Sequence, residues 1–152
     1  MIHEGTATKA VKTFFNACLV KRDVEDSLAC LAEEVQWVGT GRSEMAKGRA
    51  QAGQVLRAQL PQMTAAFRIQ FESIQETVVS DTCEVVLLTM SVSPQAKDID
   101  AICLQVTATC VESQEGLCRI VSLHTSAPGG QYDESGFFTA FSPEYAELEQ
   151  QI

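Results

Sequence analysis

After Pro61 the chain stops repeating every three to four residues and begins to alternate, in four successive segments. These are 67–79 (FRIQFESIQETVV), 83–93 (CEVVLLTMSVS), 100–113 (DAICLQVTATCVES) and 116–126 (GLCRIVSLHTS), separated by the turn text SDT, PQAKD and SQEG. Alternation over that length means strands with one buried and one wetter face. Short polar breaks between such strands are turn signals. In the third segment Ile102, Leu104, Val106 and Ala108 form the apolar face, and Gln105, Thr107 and Thr109 the polar one. A sheet built this way needs a cover for its apolar side.

The cover is encoded upstream. Residues 6–21 (TATKAVKTFFNACLVK) place Ala10, Phe14 and Cys18 beside Val11, Phe15 and Leu19 at helical spacing, with Thr6 or Thr8 available as cap. Asp23 opens a second short helix, DVEDSLACLA, whose acidic first turn suits the positive end of its dipole. Residues 33–41 (EEVQWVGTG) switch to period two, with Val35, Trp37 and Gly39 facing one way. A third helix is expected from about Glu44 to Gln59, stopped by Pro61. The predicted fold class is therefore α+β: three N-terminal helices packed on a strongly bent, mostly antiparallel sheet that wraps them into a cone.

Composition narrows the function classes. The 152 residues suffice for one domain with a real core. With 20 acidic against 11 basic residues the net charge is -9, and the Lys and Arg residues do not cluster. Nucleic acid and anionic membrane surfaces are thus disfavoured as partners. No apolar run approaches the ~18 residues of a spanning helix, and the N-terminus lacks the apolar core of a signal peptide, so a cytoplasmic location is expected. The six cysteines form no Cys-x-x-Cys and sit in apolar text, which reads as buried free thiols. No metal or other cofactor is expected.

Domain organisation follows from the break at Pro128-Gly129-Gly130. Residues 1–128 read as the cone domain. Residues 129–152 read as a tail carrying Tyr132, Phe137, Phe138 and Phe141, then a short helix begun by Ser142-Pro143-Glu144. Barely two turns long, that helix either docks on the domain or a partner, or starts a linker to an output domain.

Several of these segments resemble one family. Glu33-Glu34-Val35-Gln36-Trp37 after a helical pair, Lys47-Gly48-Arg49 at the start of the third helix, and the ending Cys118-Arg119-Ile120-Val121-Ser122-Leu123-His124-Thr125-Ser126 are similar to the SnoaL-like branch of the nuclear-transport-factor-2-like (NTF2-like) superfamily. The ending also resembles the association domain of calcium/calmodulin-dependent protein kinase. The resemblance covers roughly residues 6–126 and implies the cone fold. Its members include isomerases, dehydratases, cyclases, adaptors, oligomerisation domains and sensors, so it fixes no single function. It further implies a homodimer paired through the sheet face, here Gln105, Thr107 and Thr109.

His124 is the central candidate residue. If Ile120 points into the cone, simple alternation places Ser122, His124 and Ser126 on the same face, near its mouth. There His124 could bond a neighbouring polar group, touch a ligand or act as a general base. Phe14, Trp37, Met90, Ser122 and His124 form the expected wall of a pocket for a small, largely apolar ligand. The expected function is a ligand-binding or self-associating domain, serving as a sensory or regulatory module. The alternative is a small isomerase, cyclase or dehydratase with His124 as base. The core segments supply no Asp to pair with His124, and Tyr132 and Tyr145 lie in the tail, which weighs against catalysis.

Overall fold

The computed structural model describes residues 1–40, 44–63, 66–95 and 101–127. The tail helix at 142–152 and the boundary at 128/129 lie outside the described residues. The elements run α1 (Thr6–Phe15), a π-helical turn (Asn16–Lys21), α2 (Val24–Ala29), β1 (Leu31–Val38), β2 (Met45–Lys47) and α3 (Arg49–Gln59). A 3-10 turn (Leu60–Gln62) follows, then β3 (Phe67–Ser80), β4 (Cys83–Pro94), β5 (Ile102–Glu112) and β6 (Cys118–Ser126). The strands form one six-stranded sheet in the order β2-β1-β6-β5-β4-β3. Among the described strands only the β1–β6 pairing is parallel, so the sheet is mixed and largely antiparallel. Three helices packed on its apolar face make the expected α+β cone.

Two expectations for the helices change. The first predicted helix is α-helical only to Phe15, and its last turn widens into a π turn closed by Arg22 at φ 53°. Its start has no cap from Thr6 or Thr8. Instead Glu76, reaching over from β3, accepts from the Gly5 N–H at 3.1 Å and from the Thr8 hydroxyl. By contrast Asp23 caps α2 as read, its Oδ1 accepting from Asp26 N–H at 2.9 Å.

The third helix starts later than predicted. Residues 45–47 are a strand, pairing antiparallel with β1 so that Ala46 faces Trp37. Gly48, at φ 91°, then turns the chain into α3 while its N–H bonds Val35 O at 2.6 Å. A side chain is strained at that φ, so glycine marks the true helix start.

Bulges bend the sheet and reassign its faces. On β3, Phe71 faces Met90 but Ser73 faces Thr89, leaving Glu72 as an extra residue. On β6, Ile120 faces Cys110 but Ser122 faces Thr109, leaving Val121 extra. Ile120 is therefore inward and fully buried, yet beyond the bulge it is Leu123 and Thr125 that are buried. Ser122, His124 and Ser126 turn to the outer face.

The core lies between helices and sheet. Val11, Phe14 and Phe15 from α1 pack with Leu31, Val35, Trp37, Val86, Leu88, Met90, Val106, Ala108, Ile120 and Leu123. No described helix is long and apolar enough to cross a membrane.

Candidate functional site

The mouth of the cone holds a cavity of about 560 Å³. Phe14 and Phe15 from α1 and Cys18 and Leu19 from the π turn form one wall. Trp37 from β1, Leu56 in α3, Leu60 in the turn after it, and Phe67, Val92, Ile102 and Leu104 from the ends of β3, β4 and β5 complete the apolar lining. Polar groups come from Thr40, Glu44, Gln59, Gln62 and Thr125.

Glu44 Oε2 accepts from the Thr40 N–H at 2.9 Å and the Thr40 hydroxyl at 3.4 Å, which ties the loop after β1 to β2. Cys18 donates to Ser27 Oγ at 3.1 Å, and Ser27 in turn donates to Asp23 O at 2.6 Å. Burial pushes the Cys18 thiol up to about 12, against a smaller lowering by the Ser27 bond and a further rise from Cys30. It is a neutral wall group and not a nucleophile. Thr125 sits at 6% exposure, occupying the inward position that simple alternation had assigned to His124.

The five residues expected to form the pocket wall separate into three places. Phe14 and Trp37 line the cavity. Met90 is fully buried between Phe71 on β3 and Leu104 on β5, packed within the core and away from the cavity lining. Ser122 and His124 lie on the opposite side of the sheet, because the extra residue Val121 inverts the alternation. Their expected place at the cone mouth is therefore corrected. His124 instead borders a shallow outer depression of about 420 Å³ with Ser73, Gln75, Leu87, Thr89, Gln105, Thr107 and Ser126. The polar side of β5 does face outward as read.

Sequence reading missed Thr125, Cys18 and the 59–63 turn as cavity groups. The signal for Thr125 was only its neighbour Leu123: an apolar residue out of phase with Ile120 marks a possible bulge. All six cysteines are free, but they are not uniformly buried: Cys18 and Cys110 are, Cys103 is exposed, and the other three are half-buried. Among the described residues no three His, Cys, Asp or Glu side chains stand together as a metal site.

Three helices on a bent six-stranded sheet form the cone fold that solved NTF2-like proteins share. No protein-family model matches the chain, and no curated protein matches it in sequence. Solved structures do match in fold. An NTF2-like protein of unknown function from Pseudomonas putida superposes with a TM-score of 0.71 at 12% identity, over 84% of this chain and 85% of that one. A ketosteroid isomerase-like protein from Erwinia carotovora atroseptica gives 0.68 at 17% identity, over 84% and 99%. A putative calcium/calmodulin-dependent protein kinase type II association domain from Thiobacillus denitrificans gives 0.67 at 17%, over 82% and 96%.

Proposed function

We propose that this domain binds a small, largely apolar molecule in the mouth cavity and works as a sensory or regulatory module. The observation that carries the reading is the 560 Å³ cavity walled by aromatic and aliphatic side chains. That volume lies within the usual range for small-molecule sites, and a few polar groups among apolar walls are what orients such ligands. Its polar groups suit hydrogen bonding more than proton abstraction. Cys18 stays protonated, Glu44 already holds Thr40, and His124 is on the other side of the sheet. The likeness to an isomerase-like protein concerns the fold.

The outer face of the sheet is the proposed dimer surface. It presents Gln105, Thr107 and His124 around Leu87, which is 46% exposed, with half-buried Thr109 on the same side of β5. The fold likeness to an association domain supports this pairing.

Trp37 is the chain's single tryptophan and stands in the cavity wall, so binding is readable directly. Titration with the neutral dye N-phenylnaphthylamine should quench Trp37 by energy transfer. Leu104→Phe, which fills the cavity from β5, should weaken dye binding by about tenfold, equivalent to ~1.4 kcal/mol. Dye binding that Leu104→Phe leaves unchanged would place the apolar site elsewhere and end this reading.

A further inference from the structure

The closed end of the cone carries a thiol pair that the ligand reading does not use. β5 and β6 are joined by a tight turn in which Ser113 N–H bonds Leu117 O and Gly116 N–H bonds Ser113 O, each at 2.9 Å. This hairpin sets Cys110 opposite Ile120 and Glu112 opposite Cys118. Cys110 and Cys118 are thus diagonal neighbours on the inward face of adjacent strands, a spacing that a disulfide bridges with a local backbone shift. Each thiol shifts the titration of the other, Cys110 upward and Cys118 downward.

The two sulfurs differ in access. Cys110 is fully buried, its Sγ 3.9 Å from Ala7 O beneath α1. Cys118 is half-buried and borders an open groove of about 630 Å³ between α1, the π turn and α2. Lys9, Lys21, Asp26 and Cys30 share that groove. A small solute can reach Cys118 from the groove, while Cys110 has no exposure of its own.

We propose that Cys118 and Cys110 form a peroxide-sensitive dithiol, with Cys118 the sulfur oxidised first and Cys110 the sulfur that resolves it. The Cys118 thiolate attacks a hydroperoxide, breaking the O–O bond and forming a sulfenic acid as hydroxide or alkoxide leaves. Cys110 sulfur then attacks the Cys118 sulfur. The S–S bond forms, the S–O bond breaks, and the hydroxyl leaves with the Cys110 proton as water. The peroxide takes up the two electrons that the two thiols lose.

The interaction between the two thiols, acting against the surrounding carboxylates, favours this division of roles. The interaction with Cys110 lowers the Cys118 thiol, against burial and the charges of Glu112 and Glu84. The same interaction, then burial, then the charges of Cys118, Glu84 and Cys83 raise Cys110, so its proton stays in place until the second step. Glu76 on β3 and Glu4 in the N-terminal segment add negative charge at the same end. On the helical side Lys9, Lys21, Asp26 and Cys30 face the groove. A thiolate that is also accessible is the form that peroxides oxidise.

The test uses the whole chain carrying Cys103→Ser, which removes an exposed thiol from the same tryptic peptide. Brief hydrogen peroxide treatment, alkylation and digestion should give peptide 98–119 lighter by two hydrogens. Cleavage after Glu112 or Glu115 should then leave fragments that separate only on reduction. Adding Cys110→Ser should raise dimedone-trapped sulfenic acid at Cys118 several-fold, and adding Cys118→Ser should leave Cys110 unoxidised. Circular dichroism of each variant separates these results from misfolding, and the parent protein alone still decides the cross-link. Oxidation that stops at Cys118, or that takes Cys30 while Cys110 and Cys118 remain free thiols, overturns the proposal.

Discussion

The two ends of the cone are made from the same strands and helices, yet they solve opposite problems. At the mouth, Phe67, Val92, Ile102 and Leu104 on the sheet and Phe14 on α1 stand around unfilled volume. At the closed end, Ile120, Cys110, Val86 and Ala7 meet with no exposure at all. Glu84 is sealed among them, 0% exposed, with neither carboxylate oxygen hydrogen-bonded. The mouth keeps an apolar cavity with few polar groups; the closed end packs its interior without exposure and confines a carboxylate beside thiols. A buried acid without partners destabilises a fold, so the closed end is held shut by its apolar packing and by the N-terminal segment. There Ile2 N–H bonds Asp81 O at 2.6 Å and Met1 pairs with Glu112 at 3.1 Å.

The largest expected effect tests the packing half of this contrast. Ile120→Ala at the closed end should cost about 2–5 kcal/mol, because a tight site collapses poorly around a deleted side chain. Leu104→Ala at the mouth removes a half-buried side chain that already borders open volume, and should cost only about 1 kcal/mol. Urea denaturation of both variants measures the difference. Equal losses would mean that the mouth is as closely packed as the other end and that its cavity is not real.

Glu84 gives the next effect, in the opposite direction. Burial, then the charges of Glu76 and Glu4, push its carboxyl above the usual 4.5. A raised native value means that the folded protein holds this proton more tightly than the unfolded chain. The stabilisation is fully present below about 4.5 and is lost as pH rises through the native value. The urea midpoint should therefore fall as pH climbs out of the acidic range. Glu84→Gln should flatten that fall and raise Tm at neutral pH by a few degrees. A variant less stable than the parent at neutral pH would show that ionised Glu84 has favourable company at the closed end.

The contrast between the ends also explains what the sequence made legible. Long alternation in 67–126 and helical spacing in 6–31 specify the layers, because both faces of a sheet and both sides of a helix leave a mark on residue type. The cone's core followed from that, and with it Phe14 and Trp37 in the cavity wall. A bulge leaves almost no such mark. One extra residue, Val121, moved His124 and Ser122 through the sheet, and nothing in the composition of residues 118–126 announces it beyond Leu123 standing out of phase. β2 was hidden for a related reason: three residues are too few to display alternation, and Met45-Ala46-Lys47 suits a helix as well as a strand. Glu84 was hidden by the opposite habit, since a charged residue next to a turn reads as solvated until the N-terminal segment is seen to cover it.

The smallest expected effect concerns the residue on which the sequence placed most weight. His124 is exposed and lies outside the cavity, on the opposite side of the sheet from Thr125. His124→Gln keeps a polar side chain of similar size there and should change stability by no more than about 0.5 kcal/mol. Dye affinity in the mouth cavity should stay within twofold of the parent. The same substitution lies within the proposed dimer face, so sedimentation equilibrium should register it as weaker self-association while the cavity readout stays flat. Thr125→Val is the paired control: one residue along, inward instead of outward, it should alter dye binding and leave association untouched. A reversal of the two outcomes would restore the simple alternation and remove the bulge that separates the faces.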